Sequence, residues 1–229
     1  MRFAVRLLLA CALVAPLTAW PNGGGGVSMP SIPSPAREPT PQEKARDAYN
    51  DGVHDVKKAD KAQSAADEAK DAGKKDKEAR AAHDRYGAAL GKFQQAVALD
   101  PSMPEAWNYV GYTNRKLGHY DDALSAYDKA LSLKPGYPDA LEYRGEAYLG
   151  VNRVSDAQQA YLDLFAGNRA LASKLLTAMK SWSTAQRANP ADGVTPTGLD
   201  ELDRWIQERA QIAGQTAALT RAGTAAAWH

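Results

Sequence analysis

The side chains best suited to chemistry are four histidines, one glutamate pair and one cysteine. His54, His83, His119 and His229 stand far apart, and no two have the i, i+4 spacing that sets zinc ligands on one helix face. Glu142 and Glu146 do have that spacing, which in a cleft could serve as a paired general acid and base. With no cleft signal around them they read more simply as a solvated acidic face. Cys11 follows Leu8-Leu9-Ala10, a sequence with some likeness to a lipid-attachment box, but the apolar run continues past it. It reads as a small hydrophobe inside that run. The glycines at 23–26 have no strand, helix or lysine around them and cradle no phosphate. The expectation is a chain without catalytic residues, metal site or cofactor: not an enzyme.

Charge and the N-terminus set the compartment. The 229 residues carry 28 basic and 27 acidic side chains, a net charge of +1. That balance argues against a nucleic-acid partner, which calls for a concentrated basic face. Arg2 and Arg6 precede an apolar run from Leu7 to Leu17 and small residues ending at Ala19. A basic head before roughly 7–15 apolar residues is the pattern of a secretory signal peptide. It is too short to span a membrane, which takes about 20. Residues 1–19 are therefore expected to be removed, leaving a mature chain with no thiol and no integral membrane segment. The expected location is the periplasm of a Gram-negative bacterium, with lipid anchoring or secretion as alternatives. Residues 20–41, rich in proline and glycine, read as a disordered linker.

Beyond Pro41 the periodicity is helical throughout. Small and apolar residues recur at steps of three and four from Ala45 to Ala72, and again from Ala79 to Leu99, with a break expected near Gly73. Shorter helix pairs follow near 104–117 with 121–133 and 138–150 with 155–166. Two amphipathic stretches come last, one with Leu171, Leu175, Met179 and Trp182, the other with Leu199, Leu202, Trp205 and Ile206. No strand-like alternation occurs, so the fold class is all-α. Residues 215–229 read as a flexible tail.

A 34-residue period runs through the helical part. Ala89 recurs as Ala123 and Ala157, Phe93 as Tyr127 and Tyr161, Ala96 as Ala130, Pro101 as Pro135, and Gly111 as Gly145. Through Trp107, Gly111, Ala123, Tyr127, Ala130 and Pro135, residues 104–137 resemble a tetratricopeptide repeat. Residues 138–171 are similar through Gly145, Tyr148, Ala157 and Tyr161, with Leu141, Leu164 and Arg169 replacing three family residues. The unit ending at Pro101 matches only in its second helix, because Lys77 stands where the glycine belongs. The stretch with Ala48 and Gly52 offers a better first helix, which lengthens that hairpin by about 25 residues. The resemblance implies a short α-solenoid: a long hairpin over about 42–101, repeats at 104–137 and 138–168, and capping helices over 169–214. The alanine-lined tip of the long hairpin is expected to be its least stable part.

The resemblance also implies a concave groove for a peptide or protein partner, lined by Asn108, Tyr109, Tyr112, Arg115, Glu142, Tyr143 and Glu146. The lysine and asparagine set by which some relatives clamp a terminal carboxylate is absent, and Glu142 and Glu146 would repel that group. A helical wheel places Tyr112 and Arg115 roughly 120° from the Trp107–Gly111 packing side, so their loss is expected to spare the core. Alternatively, the tyrosines pack against the C-terminal helices. The expected function is a non-enzymatic interaction scaffold of the bacterial cell envelope, its protein or peptide partner unidentified. The alternatives are a self-assembling structural component, hence a homo-oligomer, or an accessory subunit of an envelope enzyme.

Overall fold

The structure, a computed structural model, describes residues 37–226, with side chains as far as Leu219. The expected signal peptide and most of the expected linker lie outside the described residues. Eight helices and no strand occur among the described residues: α1 (Pro41–Glu68), α2 (Ala72–Leu99), α3 (Pro104–Lys116), α4 (Tyr120–Leu133), α5 (Pro138–Gly150), α6 (Val154–Gly167), α7 (Arg169–Ala188) and α8 (Pro196–Ala226). They pair in sequence as hairpins. The hairpins stack so that α5 leans on α3 and α4, and α7 leans in the same way on α5 and α6. This is an all-α helical-repeat solenoid.

Local sequence accounts for the helix ends. Thr40 and Glu43 cap each other's backbone N–H at the start of α1, at 3.2 and 2.7 Å. Proline opens α1, α3, α5 and α8, where its missing N–H would be unpaired in any case. The inner turns of the second and third hairpins need a left-handed residue. Gly118 supplies it at φ 82°, and 34 residues later Asn152 does so at φ 60°. Asparagine is one of the few side chains that tolerates this region.

The first two hairpins close where a ring lies on a backbone lacking a Cβ. A methyl on Gly111 would stand 2.5 Å from the Tyr127 ring, and one on Gly52 would stand 2.7 Å from the Phe93 ring. Gly52 and Phe93 therefore do in the long hairpin what Gly111 and Tyr127 do in the next, as the Ala48–Gly52 alignment expected. In the third hairpin the space beside Gly145 is filled by Leu175 of α7, 2.5 Å from an added methyl.

At 28 residues each, α1 and α2 are twice the length of α3 to α6, which adds roughly 20 Å to the hairpin. Its turn falls at Ala69–Asp71, slightly before the expected Gly73. Asp71 fixes it by accepting the Lys74 backbone N–H at 2.8 Å, so Gly73 sits inside α2. The interface is mostly alanine, from Ala45 and Ala48 up to Ala62 and Ala66. One correction falls at the other end of the chain. Residues 215–226, read as a flexible tail, continue α8 as helix. The segment is alanine-rich and free of proline, so it extends a helix already nucleated.

Two tests follow from this packing. Gly111→Ala overpacks the Tyr127 contact and should cost about 1–3 kcal/mol. Gly91→Ala, on an exposed face of α2 with no neighbour within 4 Å, should gain about 1 kcal/mol. Denaturant midpoints should shift in opposite directions, and a shared direction would refute the glycine–ring register. Amide exchange should begin at residues 69–81, because α2 buries no side chain before Ala82; slow exchange there would contradict a weakly held tip.

Candidate functional site

The first helices of the hairpins, α1, α3, α5 and α7, touch one another in sequence and make one continuous face. Rings form its backbone. Tyr109 stacks on Phe93 with centroids 4.8 Å apart, and Tyr49 meets both rings edge-on at 5.7–5.9 Å. Tyr112 continues the series at 6.1 Å from Tyr109 and 5.1 Å from Tyr143. The Arg115 guanidinium lies over both Tyr112 and Tyr143, at 5.4 and 5.5 Å, and pairs with Glu146. Six of the seven expected groove residues thus stand in one connected band; among the described residues no hydrogen bond, ion pair or ring contact ties the Asn108 side chain to it.

The band is less open than the helical wheel suggested. Tyr112 is 9% exposed, Asn108 2% and Glu142 not at all. Glu142 is a buried acid and no part of a solvated acidic face, and the Arg115 side chain keeps only 13% of its surface. The physical reason is lateral. The wheel orients a residue within its own hairpin, but each first helix also abuts the next first helix, which covers this side. Replacing Tyr112 and Arg115 therefore removes core, contrary to the expectation that the core would be spared. Tyr109 and Tyr143 remain half-buried, as do Tyr49 and Tyr137 beside them.

Asp60, about two-thirds of the way along α1, is the pivot that sequence reading missed. Its Oδ1 accepts the phenol O–H of Tyr86 at 2.6 Å and of Tyr112 at 2.7 Å, tying α1 to α2 and α3. Burial, then the Asp60 carboxylate, drives the Tyr112 pKa far above the ordinary phenol range. Lys116 sits over the same two rings, at 5.9 and 5.6 Å. Burial, then the nearby Arg115 charge, lowers its pKa. Only the fold reveals Asp60, which looks in the sequence like any acid on the polar side of α1.

The other charged contact joins α5 to α7. Lys174 Nζ donates to Glu142 Oε2 at 3.1 Å, while Oε1 has no hydrogen-bond partner. Burial first, then Glu146 one turn away, pushes the Glu142 pKa up to about 7 against the pull of Lys174. No group of three or more metal-ligating side chains occurs among the described residues. His54, His83 and His119 are exposed, and His229 lies outside the described residues.

The raised Glu142 value fixes a pH dependence. Its folded pKa lies above the ordinary 4.5, so its contribution is complete below that value and is lost as pH rises through about 7. From about pH 5 to about pH 8 the melting temperature should fall, by on the order of 1 kcal/mol of stability per pH unit at most. Glu142→Gln, neutral at every pH, should flatten that slope. An unchanged slope in the variant would show that another group is responsible.

The stacked hairpins and their glycine–ring contacts agree with two comparisons. One family model, described as a tetratricopeptide repeat, matches residues 77–138, and a second with the same description matches residues 115–180. Together they run from the first turns of α2 into α7 and leave out α1, whose added length departs from the period. No curated protein matches the chain. Tetratricopeptide repeats generally mediate protein–protein interaction and are typically non-catalytic. On its architecture and on both matches, the helical hairpins within residues 77–180 are tetratricopeptide repeats.

Proposed function

We propose that this chain is a non-enzymatic scaffold of the bacterial cell envelope that holds a protein or peptide partner along the face built by α1, α3, α5 and α7. The observation that carries the reading is the half-buried tyrosine set on that face: Tyr49, Tyr109, Tyr137 and Tyr143. Such rings offer apolar area with a polar tip and lose little freedom on binding, which is why tyrosine is common among interface anchors. Glu105 and Asp139 stand at the Tyr137 edge of the set and help raise its pKa, after burial. Lys134 pairs with Glu105 at 3.2 Å and lies over the Tyr137 ring at 4.4 Å, so this edge already carries its own base. In this reading Tyr112, Arg115, Glu142 and Glu146 hold the face in place, while the four half-buried tyrosines meet the partner.

The envelope location rests on Arg2, Arg6 and the apolar run to Leu17. Intact mass of the exported protein should place the mature N-terminus near Trp20; a mass retaining residues 1–19, or lipid on Cys11, overturns that part. No described helix is long and apolar enough to cross a membrane.

Binding is tested with Tyr49→Ala combined with Tyr137→Ala. Each anchor lost should cost about 2 kcal/mol, and together a hundredfold or more in affinity. Both rings are partly buried, so the variant should melt earlier but keep its helix content at the assay temperature, which circular dichroism checks. A tagged full-length chain purified from its native cells identifies the partner, and titration with that partner measures the loss. A folded variant that binds as tightly as the parent rules this face out.

A further inference from the structure

The last hairpin breaks the 34-residue register. The turn between α7 and α8 runs from Asn189 to Thr195, longer than the inner turns of the earlier repeats. That slack leaves a cavity of about 400 Å³ between the start of α6, α7, the turn and the first turns of α8. Small-molecule sites span roughly 300–1,000 Å³. The turn is held in place by its own bonds. Gly193 is left-handed at φ 81°, the Val194 N–H donates to the Ala191 carbonyl at 3.1 Å, and the Gly198 N–H donates to Thr195 Oγ1 at 3.1 Å.

Two kinds of surface meet in this cavity. Trp182 and Trp205 supply flat apolar area. Trp205 is fixed in orientation by Tyr161, edge-to-face at 5.2 Å, and by Arg209 over its ring at 5.6 Å. The polar part of the lining includes Asn152, Ser155, Gln158 and Glu201, whose side chains make no hydrogen bond or ion pair among the described residues. Glu201 is the one charged residue in the lining.

We propose that this cavity binds a neutral sugar, a mono- or disaccharide whose C–H faces lie on the indoles while its hydroxyls bond the free amide, hydroxyl and carboxylate groups. The mixture of surfaces selects this class. An apolar ligand would satisfy the indoles but strip water from four polar side chains and return no hydrogen bond. An organic cation would be drawn to the rings and to Glu201 yet leave the amides unpaired. An anionic ligand would meet the Glu201 carboxylate. A pyranose carries apolar faces and a rim of groups that both donate and accept, which amides and hydroxyls can match. The site shares no residue with the tyrosine face, so it stands or falls apart from the peptide-holding reading.

The test uses the full-length chain and its indole N–H signals in proton–nitrogen correlation spectra. The probes are glucose, N-acetylglucosamine and maltose, with cyclohexanol as a ring lacking the hydroxyl array and choline as an organic cation. The expected result is saturable movement of the Trp182 and Trp205 signals with at least one sugar, in the millimolar range, with the Trp107 signal still. Gln158→Ala and Asn152→Gly, the latter keeping the left-handed turn, alter side chains that are not fully buried, and each should weaken binding about fivefold or more. These two variants carry the test if Trp182→Ala loosens the last hairpin. No saturable shift with any sugar overturns the proposal. So does an equal response to cyclohexanol or choline, which would make the cavity a plain apolar or cation pocket, or unchanged affinity in both polar variants.

Discussion

Everything on the ordered face depends on how closely two helices approach where glycine meets an aromatic ring. Gly52 under Phe93 and Gly111 under Tyr127 leave no room for a methyl group. The rings seat directly on the helix backbone, and both of these hairpins are narrow. Narrow hairpins bring the first helices side by side, and that contact closes over Tyr112 and Glu142. A wider hairpin would leave these side chains in water. The polar character of the face is thus a consequence of a steric fact at its back.

Once closed in, polar side chains need partners, and their arrangement follows from that need. Asp60 takes two phenol donors on one oxygen, Arg115 takes Glu146 and two ring faces, and Glu142 takes Lys174. The set is unevenly satisfied. Asp60 gathers two strong donors, whereas Glu142 retains an oxygen without a partner and a pKa raised mainly by burial. A buried acid with one weak side costs stability when ionised, which packing alone would not require. The α5–α7 contact is therefore a part of the face that responds to pH.

The repeat architecture was legible because steric contacts leave residue-type signatures at a fixed period. Glycine at 52, 111 and 145, the rings at 93, 127 and 161, and the proline starts can be read without coordinates. Even the displaced first helix could be found from Gly52. The candidate site was legible only in outline. Helical periodicity reports which side of a helix faces its own partner, and Tyr112 and Glu142 are covered by a different one. Asp60 lies 52 residues from Tyr112, and its burial depends on the added length of α1, which no local pattern encodes. The helical state of 215–226 was missed because alanine and threonine without apolar periodicity resemble a tail, although backbone propensity alone sustains a helix already begun.

Two features that a regular repeat would lack both sit where the period fails. At one end, α1 and α2 outgrow the repeat, and the surplus puts Asp60 beside Tyr112. At the other end the third glycine meets Leu175 of α7 in place of its own ring, and the α7–α8 turn is too long for the register. Perfect repetition buries each hairpin against an identical neighbour and leaves few polar groups unclaimed. Departures do the opposite: they put a charge where the repeat has none, or open a space lined by free side chains. Tyr109 and Tyr143 of the proposed partner face keep the 34-residue period, whereas the α7–α8 cavity exists only where the period fails, so fit and departure each contribute a surface.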